Sequence, residues 1–117
     1  MRQWSEALHA FHKRLNAAGL GDRVLVMTFS EFGRRVAENA SQGTDHGAAA
    51  PAFLSGPKFD NTILGDQPSL SQLDDGDIKF QTDFRRVYAT LIDDWLGASS
   101  QGILTEEYAK LPQLGLS

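Results

Sequence analysis

Val24-Leu25-Val26-Met27-Thr28-Phe29 is a continuous apolar run, not an alternating one. A strand of that kind is covered on both faces, and such strands belong to parallel sheets flanked by helices. Upstream, Trp4, Leu8, Phe11, Leu15 and Ala18 recur at steps of four, three, four and three, the stripe of an amphipathic helix. His9, Lys13 and Asn16 fall on its other side, and His12 joins His9 on the polar face. Gly19 and Gly21 supply the helix stop, because glycine enters the left-handed region without a Cβ penalty. Helix, short turn and buried strand together predict an α/β domain with a small, mostly parallel sheet and flanking helices.

Downstream the composition turns polar. Ser30 to Gly47 reads as a loop with at most one helical turn at Phe32–Glu38, and Ala48 to Leu54, interrupted by Pro51, as a short or edge strand. Gly56 to Ser71 reads as irregular, Asp74-Asp75-Gly76-Asp77 as a turn, and Ile78-Lys79-Phe80 as a brief strand. A second helix is predicted from a Thr82 cap, with Phe84, Val87, Tyr88, Leu91, Ile92 and Trp95 as its apolar stripe and Gly97 as its stop. Thr105, followed by Glu106 and Glu107, predicts a short capped helix running to Leu111.

The 117 residues make one domain's worth of chain, 41% apolar and 22% charged, close to the globular average. A chain of this length buries about 60–70% of its unfolded surface. No apolar run approaches the roughly 20 residues of a membrane helix. Eleven basic and fifteen acidic residues give a net charge of −4 without a basic patch, which argues against a nucleic-acid partner. With no cysteine, disulfide scaffolds and thiolate metal sites are excluded.

In open parallel sheets ligands gather beyond the carboxyl ends of the strands. Glu31 follows the apolar run, and fourteen residues later comes Gly43-Thr44-Asp45-His46-Gly47. Carboxylate oxygens and a neutral imidazole are donors that Zn²⁺ and Mn²⁺ accept, so Asp45-His46 reads either as a metal pair or as a loop-capping Asp beside a solvated His. Arg34 and Arg35 could clamp an oxyanion with their planar forks or pair with surface carboxylates. Ser30 stands at a strand end, but glycines are missing where a nucleophile elbow needs them, at Thr28 and Phe32. Asp74, Asp75 and Asp77 lack the alternating oxygen ligands of a calcium loop, and Asn39-Ala40-Ser41 matches a glycosylation sequon.

Several separated blocks, taken together, resemble a known family. They are Val24 to Arg35, Glu38-Asn39, Gly43 to Gly47, Asp83-Phe84-Arg85, Tyr88-Ala89-Thr90 and Trp95-Leu96-Gly97. In order and spacing they resemble the C-terminal part of the bacterial domain of unknown function 1501, from about Trp4 to past Gly97. That family is grouped with the alkaline phosphatase and sulfatase superfamily. The resemblance implies that residues 1–117 form the C-terminal portion of a larger domain, with Asp45, His46 and Glu31 as metal ligands; Arg34, which lies in a matching block, and Ser30 at the strand end are the candidate substrate contacts. It further implies a divalent ion, Zn²⁺ or Mn²⁺, a phosphate or sulfate ester substrate, and export from the bacterial cytoplasm. The superfamily's nucleophile belongs to an N-terminal half not contained in these residues, and no histidine follows His46, so this chain alone is expected to be inactive. The rival reading is a non-catalytic exported protein that keeps the fold for binding or structure. Unpaired sheet edges would, in either case, favour self-association.

Overall fold

A computed structural model describes residues 1–57, 59 and 63–116. Helix α1 spans Arg2–Ala17 and places the Trp4, Leu8, Phe11 and Leu15 stripe as the periodicity requires. Gly19, at φ +68°, terminates it. A 3₁₀ turn at Gly21–Arg23 leads into β1, Val26–Met27, which pairs antiparallel with β4, Leu54–Ser55. Between them β2, Gly33–Glu38, folds back on β3, Thr44–Gly47, as an antiparallel hairpin.

The expected mostly parallel sheet is therefore replaced by two separate two-stranded antiparallel sheets. A parallel pair needs a crossover of a dozen or more residues, usually a helix, between its strands. Among the described residues α1 precedes the four strands and the second helix follows them, so no helix there separates one strand from the next. Nor is the apolar run sandwiched: Val24 to Met27 are only half-buried and Phe29 is 78% exposed. The expected loop at 30–47 is the hairpin, and the edge strand expected at 48–54 is reduced to β4. The predicted irregular stretch 56–71 includes positions 58 and 60–62, which lie outside the described residues.

Asn39 ties the hairpin turn together. Its Oδ1 accepts from the amides of Ser41 (3.0 Å) and Gly43 (3.1 Å), and its Nδ2 donates to Asp45 Oδ1 (3.0 Å). The sequon reading passed over this role. Asn39→Ala removes all three bonds, and a loss of about 1–2 kcal/mol in urea unfolding is expected.

Helix α2 spans Phe84–Thr90 and continues as a wider π turn through Leu91–Trp95, closed by the Leu96 amide on the Leu91 carbonyl. Gly97, at φ +63°, ends it as expected. The cap is Asp83, one residue after the predicted Thr82: its carboxylate accepts from the Arg85 amide (2.9 Å). The Arg85 guanidinium hydrogen bonds, followed by that amide, hold the Asp83 carboxyl down to about 2. A folded-state value below the ordinary 3.8 means that the unfolded chain binds the proton more readily. Stability is thus complete above about pH 4 and falls as pH drops towards about 2. Acid unfolding should show wild type losing more stability than Asp83→Asn across that window.

The Thr105 helix does not form. Residues 107–111 run without regular structure to a 3₁₀ turn at Pro112–Leu114, and Leu111, Leu114 and Leu116 make the buried apolar cluster. Leu25, Leu54, Val87, Leu91 and Trp95 pack against it, so the tail joins β1, β4 and α2. Arg86 Nε donates to the Ala109 carbonyl (2.8 Å), and Lys110 pairs with Asp94 (2.5 Å), which raises the lysine's proton affinity. Along α2 the tail's backbone finds partners in Arg86 and in the Thr90 hydroxyl, tertiary bonds that hold it extended against the local helix preference of Thr105-Glu106-Glu107. The Asp74–Asp77 turn forms as expected, with Asp75 and Gly76 both at positive φ, whereas Ile78–Phe80 forms no strand.

Candidate functional site

The hairpin register decides which of the candidate residues meet. Gly33 lies opposite Gly47 and Arg34 opposite His46. Directly opposed residues in an antiparallel pair share a face. The His46 ring stacks on Phe32, with centroids 3.5 Å apart and planes 8° from parallel, and the Arg34 guanidinium lies 5.4 Å from the same Phe32 ring. Arg34 Nη1 donates to the Thr44 carbonyl (2.8 Å), fixing the arginine across the strand pair. Stacking uses the face of the imidazole. Its nitrogens act in the ring plane and keep their capacity to ligate or donate.

The two glycines allow this close pairing. A Cβ on Gly33 would stand 1.6 Å from the Ala49 carbonyl oxygen, and one on Gly47 would stand 2.8 Å from the Arg34 carbonyl carbon. Both are contacts with backbone, not with movable side chains.

The two arginines differ. Arg35 pairs with Asp77 (3.2 Å) and covers the Asp74–Asp77 turn. Among the described residues no carboxylate lies within ion-pair distance of Arg34. Among the described residues Arg34's charge is thus left unpaired, on the strand position opposite His46.

Asp45 and His46 are consecutive in an extended strand, so their side chains leave on opposite faces. His46 goes to Phe32 and Asp45 to Asn39. Glu31 is exposed in the bend before β2, and the Ser30 hydroxyl donates to the Phe32 carbonyl (2.7 Å) as a local turn clasp. Among the described residues no three carboxylates or imidazoles cluster as a metal site. The donor types suit Zn²⁺ or Mn²⁺, but their placement in this backbone does not close a site around one ion.

The family model described as "Protein of unknown function (DUF1501)" matches residues 1–103, most of the chain. The chain belongs to that family. No curated protein and no solved structure matches it. Within this DUF1501 chain the match covers α1, both sheets and α2, while the buried Leu111, Leu114 and Leu116 lie beyond it. Among the described residues no helix is long and apolar enough to cross a membrane.

Sequence reasoning missed two residues that organise the region. One is Phe32, the platform for both Arg34 and His46, which could have been noticed as the aromatic nearest the arginine pair. The other is His12: it lies against β4, its Nε2 2.8 Å from Ser55 Oγ, and not on a solvated face as its spacing from His9 indicated.

Proposed function

We propose that the β2–β3 hairpin is the ligand-binding element of this chain and that it takes the oxyanion of a phosphate or sulfate ester between Arg34 and His46. The observation that carries the reading is the cross-strand pair itself: a guanidinium with no carboxylate partner among the described residues and an imidazole, both held on Phe32. A planar fork and a ring N–H are suited to tetrahedral oxyanions. The resemblance to the alkaline phosphatase and sulfatase superfamily supports the same substrate class. On that reading a divalent ion would draw single donors from here, His46 on one face or Asp45 on the other, and Glu31 at the rim, with its remaining ligands supplied from elsewhere. Such an ion would neutralise charge on the transferred group.

The rival, non-catalytic binding, is favoured by the absence of a three-donor cluster among the described residues. Calorimetry separates the two. The hydrolase reading predicts heats with Zn²⁺ or Mn²⁺ that are lost in Asp45→Ala or His46→Ala, and identical heats in all three proteins would remove the metal. Phosphate binding lost in Arg34→Gln but kept in Arg35→Gln, without metal heats, supports binding alone.

A further inference from the structure

We propose that Ser55 is a nucleophile with His12 as its general base, and that the pair acts on the ester of an apolar carboxylic acid. Ser55 Oγ and His12 Nε2 stand 2.8 Å apart, although 43 residues separate them in the chain. At that distance a base can take the hydroxyl proton, and a serine without such a neighbour is a weak nucleophile. Both side chains are half-buried, so the pair is partly shielded from water yet within reach of a small molecule.

Packing on both sides of the chain holds this geometry. Phe53 and Ser55 are two residues apart in extended backbone and leave it on one side, while Leu54 between them packs against the buried leucine cluster. Helix α1 covers the first side. Trp4 meets Phe53, with ring centroids 5.3 Å apart, and His12, about two helical turns on, meets Ser55. Leu8 lies between Trp4 and His12 on the same helical face. Trp4 and Phe53 are 39% and 40% exposed, which leaves apolar surface beside the pair for an acyl group. Gly56 follows the serine, and the amide after a nucleophile is a recurrent oxyanion donor.

With the imidazole neutral and its proton on Nδ1, Nε2 accepts from the serine. Ser55 Oγ bonds to the ester carbonyl carbon and its proton passes to His12 Nε2. The bond to the alcohol oxygen then breaks, and His12 returns the proton to that oxygen. Water repeats the sequence on the acyl-serine, releasing the carboxylic acid and restoring Ser55. Among the described residues no carboxylate pairs with His12, so the arrangement is a dyad. The inference does not depend on the oxyanion reading, since neither Arg34 nor His46 takes part.

Phenylmethylsulfonyl fluoride and p-nitrophenyl butyrate test it on the whole chain. The sulfonyl reagent should label Ser55 in preference to the eight other serines, as located by peptide mass spectrometry, and should stop p-nitrophenolate release. His12→Gln keeps a hydrogen-bonding side chain beside Ser55 but no base. Labelling should slow about a hundredfold or more in it while circular dichroism stays native. Ser55→Ala should lose label and ester turnover together, and Ser55→Cys should regain acylation as a thioester. Wild type labelled without preference for Ser55, or labelling unchanged in folded His12→Gln, would overturn the proposal and leave the pair as a clasp between α1 and β4.

Discussion

Gly33→Ala is expected to disrupt the β2–β3 hairpin and to cost about 3 kcal/mol or more, since a Cβ there makes a closer contact than at any other described glycine. The added Cβ would stand 1.6 Å from the Ala49 oxygen and 2.3 Å from its carbonyl carbon. Both obstacles are main chain, so no rotamer change relieves them. Relief requires β2 to move off the segment after β3, which undoes the Gly33–Gly47 and Arg34–His46 register. Gly43→Ala is the control: its nearest atom is the Asn39 Oδ1 at 3.8 Å, ordinary contact distance. Thermal unfolding should show a large drop for the first and a small one for the second. Equal stabilities would mean that Gly33 does not approach Ala49 as described.

Thr90→Val is expected to cost about 2–3 kcal/mol although it preserves shape. Thr90 is 1% exposed, and its hydroxyl donates to the Arg86 carbonyl (2.8 Å) while accepting from the Leu111 amide (2.8 Å). Valine leaves that buried amide without a partner at the point where the tail joins α2. The penalty is the desolvation of an orphaned donor, not a cavity. Thr90→Ser keeps both bonds and loses only a methyl, so it should retain most of the stability, about 1 kcal/mol below wild type. Hydrogen exchange would show Leu111 and Leu114 losing protection in Thr90→Val and keeping it in Thr90→Ser.

Legibility followed the range of the interaction. The α1 stripe, the Gly19 and Gly97 stops, the Asp74–Asp77 turn and the stripe of α2 were readable because each is fixed within one or two turns of chain. Strand direction was not. Val24 to Phe29 has the composition of a buried strand, but its partner, Leu54–Ser55, lies more than two dozen residues away and is too short to leave a pattern. The hairpin was hidden for a different reason. Gly33 to Glu38 does not alternate, since a bulge breaks its register, and its turn is built by the Asn39 side chain in place of an Asn-Gly pair. The tail was misread because Thr105-Glu106-Glu107 favours a helix start locally, while the tertiary bonds of Leu111 to Thr90 and of Ala109 to Arg86 favour an extended path.

For the site, the sequence placed Glu31, Ser30, Arg34, Asp45 and His46 in one neighbourhood, and the register sorted them. Arg34 and His46 are joined on Phe32, Arg35 is neutralised by Asp77, and Asp45 faces Asn39. Motif spacing cannot carry that distinction, because whether two consecutive side chains share a site depends on the chain being bent or extended there.

The central claim is that Arg34 and His46 act together on one ligand. Its most direct measurement follows the amide nitrogen–proton NMR spectrum of the chain during titration with inorganic phosphate and with sulfate. Shifts confined to residues 31–34 and 44–47, saturating with a dissociation constant on the order of millimolar and absent in Arg34→Gln, are the predicted result. Shifts that persist unchanged in folded Arg34→Gln, or that centre on residues outside the hairpin, would contradict it.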